Sequence, residues 1–384
     1  MLGLKVREID SIYRPRRHSK LYEDNLCLTK AFFTNMDNER DSGNSILLGE
    51  IHTRRRRNSF TDDYSVQKTN DDATECKYIA EKKNYWDDPF IGKFVSHQVD
   101  STPVRRDPEI LRGYWARVTG IRSLIYKFVE KAGPSCQIIN LGAGFDTTYW
   151  WLKKFTNLKF GTFVEFDFSS VTSKKIRFIR KPGNSVLTEL FSEEITESQH
   201  SDLFAGDYKL CGADLRQHDE FMSKLEKVKL NKDAPTLVIA ECVLVYMNPE
   251  KSEELLKCLS EYFGVLSFIN YEQVCLNDTF GEVMINNLNQ RGITLDGLSL
   301  CNSVDDQIGR FKKGGFDKVS LWKMSDVYSK YLPENERRRI ESLEMLDETE
   351  LLVQLLEHYC IVYASKCDLQ LEKEFRILSE ISIS

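Results

Sequence analysis

An α/β fold, with a mostly parallel sheet covered by helices on both faces, is predicted by three features of this 384-residue chain. Strand-like and helix-like patterns alternate from Ala73 onward. The first strand, "CQIINLG", ends in a glycine bend. Helical runs open on capping residues and a proline in the first turn.

Residues 1–72 stand apart. They hold 13 Lys and Arg against 12 Asp and Glu and show no sustained apolar periodicity, so a disordered arm is expected there. Within it Arg54, Arg55, Arg56 and Arg57 precede Ser59. The run reads as a solvated charge cluster, with a basophilic kinase site or a nucleic-acid contact as alternatives.

The stretch "DPEILRGYWARVTGIRSLIYKFVEKAG" starts a helix with Asp107 as N-cap and Pro108 in its first turn, and stops it near Gly133. Its apolar stripe runs Ile110, Tyr114, Ile121, Leu124 or Ile125, and Phe128, and Arg117 falls on the same stripe. An arginine on a buried face needs an anionic partner. The possibilities are an internal salt bridge, a snorkelled side chain, or a receptor for a bound carboxylate.

Strands are expected in "CQIINLG", "KFGTFVEFDF", "APTLVIAECV", "GVLSFINYEQV", "FDKVSLWKM" and "HYCIVYAS". Helices lie between most of them, as in "NPEKSEELLKCLSEYF", where Asn248 can cap and Pro249 takes the first turn. The helix-like run "ENERRRIESLEMLDETELLVQLLEHYC" leads into the last strand. Repeated βα units of this kind call for a parallel sheet buried on both faces. No repeat of blade or solenoid length is present.

Bulk properties exclude several classes. A net charge of −6 gives no overall attraction to nucleic acid or anionic lipid. The ten cysteines never fall within four residues of each other, so zinc-knuckle and dithiol spacings are missing and no metal is expected. Scattered thiols suit a reducing, cytoplasmic location. The longest apolar run, "TLVIAECVLVYM", is too short to span a bilayer and carries Glu241. No secretory leader is read at the N-terminus.

Ligands in open α/β sheets bind beyond the carboxyl ends of the strands, and Gly142 and Gly144 mark that edge. A dinucleotide fingerprint would want a third glycine where Thr147 stands. Asp146 would also set a carboxylate beside any pyrophosphate. A cofactor bearing a positive centre suits the bend better, and S-adenosylmethionine fits that description. Further acids recur at strand ends. Glu165 and Asp167 share one face of "FVEFDF", and one carboxylate there can accept two ribose hydroxyls. Asp214 and Leu215 in "GADLR" suit an adenine amino group and ring edge. Glu241 closes its strand in "AECVLVY", with Tyr246 five residues on.

Taken together, "CKYIAEKKNYWDDPF", "RGYWARVTGI", "NLGAGFDTT", "GADLR", "AECVLVYM", "FINYEQV" and "RIESLEMLDETELLVQLLEHYC" resemble the leucine carboxyl methyltransferase family. That family is a branch of the class I S-adenosylmethionine-dependent methyltransferases, and the resemblance covers residues 73–365. It implies a methyltransferase domain over 73–370, with an N-terminal helical cap over 73–133 and a tail over 371–384. It implies methylation of the C-terminal leucine carboxylate of the protein phosphatase 2A catalytic subunit and its close relatives; separately, a monomer is expected. By the same resemblance Lys77, Arg117, Gly142, Asp167, Asp214, Leu215 and Glu241 contact the cofactor, Arg117 pairing with its methionine carboxylate. Arg117 and Tyr246 would be the catalytic pair, holding the substrate's terminal carboxylate. Two departures are the long arm and "HSDLFAGDYKLCGADLR", which matches mainly at its end. A related branch acts on a hypermodified guanosine of tRNA and carries a C-terminal kelch propeller, which is not expected here.

A terminal carboxylate with a pKa of about 3.5 is ionised at neutral pH and needs no general base. The expected chemistry is attack of a carboxylate oxygen on the sulfonium methyl, helped by alignment and removal of water.

Overall fold

The computed structural model describes residues 59–96, 99 and 105–366. Among them nine strands form one sheet: β1 Gln137–Leu141, β2 Thr162–Asp167, β3 Thr196–Ser198, β4 Asp202–Ala205, β5 Tyr208–Gly212, β6 Thr236–Glu241, β7 Leu266–Gln273, β8 Lys318–Lys323 and β9 Tyr359–Ser365. Their order across the sheet is β3-β4-β5-β2-β1-β6-β7-β9-β8. The five central strands, β5 to β7, run parallel, while β9 is antiparallel to both its neighbours and β3, β4 and β5 form a meander.

The chain adds strands on one side of β1 and then crosses to the other, so the reversal of strand order lies between β1 and β6. A crevice opens at such a point beyond the carboxyl ends of the strands. Side-chain alternation sorts the sheet into two layers. Ile138, Phe163, Leu237, Ile239, Ile269 and Tyr271 face one core, and Ile139, Leu141, Val164, Phe166, Val238 and Phe268 face the other. By that period Asp167, Glu165 and Glu241 all project on the first face.

Helices α1 (Ser59–Lys82) and α2 (Pro108–Ala132) cover the first face together with α3 (Thr148–Phe155) and α4 (Ser169–Ile179). The second is covered by α5 (His218–Lys227), α6 (Pro249–Tyr262) and α8 (Val304–Lys313), with α7 (Thr279–Gln290) between the last two in sequence. After β8, a helical turn at Met324–Asp326 runs into a π-helical turn at Val327–Tyr331. It is followed by α9 (Glu334–Glu341) and α10 (Thr349–Glu357).

Helix α2 begins at Pro108 and ends at Gly133, whose φ of 79° closes it; Asp107 holds the N-cap position in extended conformation but its side chain makes no cap bond. Asn248 does cap α6, its side chain accepting the Lys251 amide.

Three expectations change. The boundary placed at residue 72 falls inside α1, because residues 59–72 are helical; the rest of the expected arm, including Arg54–Arg57, lies outside the described residues, as does the tail 371–384. The long final helix is two, α9 and α10. The break has a cause: the buried Arg112 of α2 donates Nη2 to the carbonyls of Glu341 and Glu344, at 3.0 and 2.8 Å, ending α9 with a guanidinium in place of a further turn. Finally, β3, β4 and β5 add three short strands that were not among those expected.

Among the described residues no helix is long and apolar enough to cross a membrane, and no group of three or more His, Cys, Asp or Glu side chains is placed to hold a metal ion.

Candidate active site

β1 opens directly into the glycine bend. Gly142 and Gly144 have φ of 58° and 50°, a region that side chains with a Cβ rarely enter. Space excludes a side chain as well. A Cβ on Gly142 would stand 2.5 Å from Val243 Cγ2, and one on Gly144 would collide with Asn70 Oδ1. The loops after β1 and β6 therefore touch at the point where strand order reverses.

Asp167, at the end of β2, braces this bend. Its Oδ2 accepts the Gly144 amide at 2.7 Å and its Oδ1 the Phe168 amide at 2.7 Å. Burial outweighs those bonds and lifts its carboxyl to about 6. The next strand end is close by, since the Ala213 amide donates to the Asp167 carbonyl at 2.8 Å. Asp214 there is spanned by Arg216, whose Nε and Nη2 reach its two oxygens at 2.9 and 2.8 Å. The same guanidinium pairs with Asp63 of α1 at 2.7 Å. The Asp214 carboxylate expected to face an adenine amino group is thus engaged by an arginine. Leu215 is half-buried against the second core.

On the other side of the bend lies a cluster of alternating charge. Arg117 is turned inward on α2, its side chain 12% exposed, and its Nε donates to Glu241 Oε2 at 2.6 Å. Lys77 Nζ lies 3.3 Å from Asp146 Oδ2 and 3.9 Å from Glu241 Oε2. Asp146 also accepts the Thr148 amide at 2.8 Å, capping the start of α3. Burial works against its charge, but Lys77, Lys175 and Thr148 outweigh burial and hold its carboxyl down at about 2. A shallow cleft runs along this cluster, lined among others by Lys77, Trp86, Asp88, Asp146, Thr147 and Glu241.

Aromatic rings enclose the arginine. The Arg117 Cζ sits 4.5 Å from the Tyr271 ring centre and 5.6 Å from that of Tyr114, geometry in which a cation gains from the ring face. Tyr246 follows in the loop after β6, and burial keeps its hydroxyl protonated by raising it above the usual phenol range. Cys242, between Glu241 and Tyr246, has a φ of 56°. Burial pushes its thiol up to about 12, so it stands beside the cluster as a neutral group.

Helix α1 lies across these strand ends and is tied down by polar contacts. Asn70 Oδ1 accepts the Phe145 amide at 2.8 Å, Gln67 pairs with Ser170 at 2.6 Å and Asp71 with Lys174 at 2.9 Å. Asp72 pairs with Arg291 just past α7.

The structure brings Gly142, Lys77, Arg117, Glu241 and Asp167 to one edge, with Asp214 and Leu215 on the adjoining strand end; Tyr246, whose hydroxyl is hydrogen-bonded to Thr69 of α1, lies in the loop after Glu241 and within electrostatic reach of the arginine. Glu165 departs from expectation. It is fully buried under Lys175 Nζ at 2.5 Å and Tyr208 Oη at 2.7 Å, so it faces no open space, and burial lifts its carboxyl to about 7. Sequence reasoning passed over Tyr271 and Tyr114, although "FINYEQV" and the stripe of α2 carried them. It also passed over Asp88, whose Oδ2 accepts Arg122 Nη2 at 2.7 Å and Thr147 Oγ1 at 2.6 Å and so fixes the first turn of α3.

Comparison with known proteins bears on this edge. The sequence profile described as leucine carboxyl methyltransferase matches residues 65–260. The chain is 49% identical over 330 residues to the probable leucine carboxyl methyltransferase 1 of Caenorhabditis briggsae, covering 86% of this chain and 99% of that one. It is 44% identical over 308 residues to leucine carboxyl methyltransferase 1 of Bos taurus, covering 80% and 91%. The tRNA wybutosine-synthesizing protein 4 of Homo sapiens is 34% identical over 311 residues, which are 79% of this chain and 44% of that protein. The chain therefore belongs to the leucine carboxyl methyltransferase family, and is an S-adenosylmethionine-dependent carboxyl methyltransferase.

Proposed function

We propose that this protein methylates the C-terminal leucine α-carboxylate of the protein phosphatase 2A catalytic subunit and its close relatives, forming a methyl ester, and that it does so in the cytoplasm as a monomer. The observation that carries the reading is Arg117: a guanidinium turned inward between two tyrosines, next to Glu241 and Lys77, at the switch point of the sheet. The relatives named leucine carboxyl methyltransferase 1, at 49% and 44% identity, support it. The wybutosine-synthesizing relative, at 34%, gives the tRNA reading less support.

The residues present fit the methyl donor. Its methionine end carries an ammonium and a carboxylate, and Glu241 and Asp146 offer the negative groups while Lys77 and Arg117 offer the positive ones. Gly142 leaves backbone exposed where a side chain would stand in the way, Asp167 lies on the same edge toward the ribose, and Asp214, its carboxylate spanned by Arg216, brings its loop to the adenine side. When bound, S-adenosylmethionine supplies an electrophilic methyl group on a sulfonium.

The chain's own residues have an ionised acceptor to orient. Arg117 and Tyr246 hold the carboxylate by a charge-assisted and a neutral hydrogen bond respectively. The rings of Tyr114 and Tyr271 keep water from the guanidinium, which strengthens its pull on an anion. No side chain has to remove a proton, since a terminal carboxylate is ionised at neutral pH. Orientation and exclusion of water are then the catalytic work.

The test is transfer of labelled methyl to the phosphatase catalytic subunit, intact or lacking its last leucine. Base-labile label on the intact subunit alone is the expected result. Equal label on the shortened subunit overturns the proposal.

A further inference from the structure

After Glu241 the chain turns at once through Cys242, with its φ of 56°, into a 3-10 turn at Leu244–Tyr246. A left-handed residue with a side chain persists only where its surroundings hold it. The Cys242 amide donates to the Tyr271 carbonyl at 2.7 Å, and one residue further along β7 stands Glu272. Its side chain leaves the opposite face of the sheet from Tyr271 and is fully buried. Its Oε1 accepts the Val245 amide at 2.5 Å. Its Oε2 accepts Gln307 Nε2 at 3.1 Å and pairs with Arg310 of α8. On the far side of the turn, the Val245 carbonyl accepts the Gly297 amide at 2.9 Å.

Burying a carboxylate with a guanidinium is a poor way to gain stability, since apolar side chains of similar size often do as well. The pair has another use here. Val245 directly precedes Tyr246, and its amide is held by the carboxylate that Arg310 and Gln307 fix in place. Glu241, on the near side of Cys242, is anchored separately by Arg117 and Lys77, so the donor side of the site does not depend on Glu272.

We propose that Glu272, fixed by Arg310, is a positioning residue that holds the Val245 amide and so sets where Tyr246 presents its hydroxyl to the acceptor carboxylate. The proposal rests on the reading of Tyr246 as a holder of that carboxylate. It assigns the buried pair on the second face of the sheet to the acceptor half of the reaction.

Two double variants separate positioning from stability. Glu272→Gln with Arg310→Met and Glu272→Met with Arg310→Met both remove the buried charges as a pair, but only the first keeps an acceptor oxygen toward Val245. In the Met–Met variant kcat/KM for the acceptor tail is expected to fall about tenfold or more, and in the Gln–Met variant to recover to within about threefold of wild type. Affinity for S-adenosylmethionine by calorimetry is expected to stay within about twofold in both. Equal kcat/KM in the two variants overturns the proposal, as does donor affinity falling in step with it. Amide hydrogen exchange on the wild-type protein tests the same bond should the Met–Met variant fail to fold. Protection at Val245 is expected, and unprotected exchange there overturns the proposal. A wild-type protein that methylates no terminal carboxylate refutes the functional reading instead, and Val245 exchange still decides the bond.

Discussion

Arg117 Nε and Glu241 Oε2 meet at 2.6 Å although 124 positions separate them in the chain. That contact joins the helical cap to the end of β6. Burial opposes the arginine's charge, but Glu241 makes its proton harder to remove, so the guanidinium is a permanent cation in a sheltered place. One donor edge is spent on Glu241. Among the described residues the guanidinium makes no other hydrogen bond, so its remaining N–H groups are available to an anion. Replacing Arg117 by alanine is expected to lower kcat/KM for the acceptor about hundredfold. Lys77 still faces Glu241, so the melting temperature is expected to fall by only a few degrees. Steady-state assays beside a thermal melt check both halves, and near-normal turnover would remove Arg117 from the mechanism.

Lys77 touches two carboxylates at once, Asp146 and Glu241. Its loss leaves adjacent negative groups where the donor's methionine carboxylate is proposed to sit. Lys77→Ala is expected to weaken S-adenosylmethionine binding about tenfold. Calorimetry reads this directly, and unchanged affinity contradicts the role.

Asp167 carries a pH dependence whose sign follows from its burial. Its carboxyl is raised to about 6, so the folded chain holds this proton more tightly than the unfolded one. Ionisation therefore costs stability as pH rises through that range. Its proposed role, accepting a ribose hydroxyl at each oxygen, calls for the ionised form. Donor affinity is thus expected to fall below pH 6, by up to about tenfold per unit. In Asp167→Asn it is expected to be weak and nearly flat over the same interval. A wild-type affinity that is constant from pH 7 to 5 contradicts this.

Asp146 works in the opposite sense. Its carboxyl is held at about 2, below its unfolded value, so it contributes stability that is present above about pH 4 and is lost as pH falls toward 2. The contribution is about 2 kcal/mol. Asp146→Asn is expected to be destabilised by that order at pH 7 in urea titrations, with the gap to wild type about halved at pH 3. A constant gap contradicts the assignment.

The parallel core and the glycine bend were readable because each rests on local chemistry. β1 and β6 are largely apolar, β2 and β7 are rich in apolar and aromatic residues around a few polar ones, and α2 and α6 open on proline and, in α6, on an asparagine cap. The meander was not readable for the opposite reason. β3 to β5 are three to five residues long, and a Gly206-Asp207 turn was their one local signal. The split between α9 and α10 depends on Arg112, more than 200 residues earlier, which no local pattern reports. Convergence of the acids with Gly142 could be expected from their places at strand ends. The arginine spanning Asp214, and the lysine and tyrosine occupying Glu165, could not. Glu272 had a signal that went unused: an acid in the middle of a fully buried strand requires a partner.

On the proposed reading, the site delivers a methyl group to a free carboxylate received by Arg117 and Tyr246. The most direct measurement is labelled methyl transfer to the phosphatase tail peptide with its terminal carboxylate either free or amidated. One base-labile methyl ester on the free peptide and none on the amide is the expected result. Comparable labelling of the amidated peptide would contradict it.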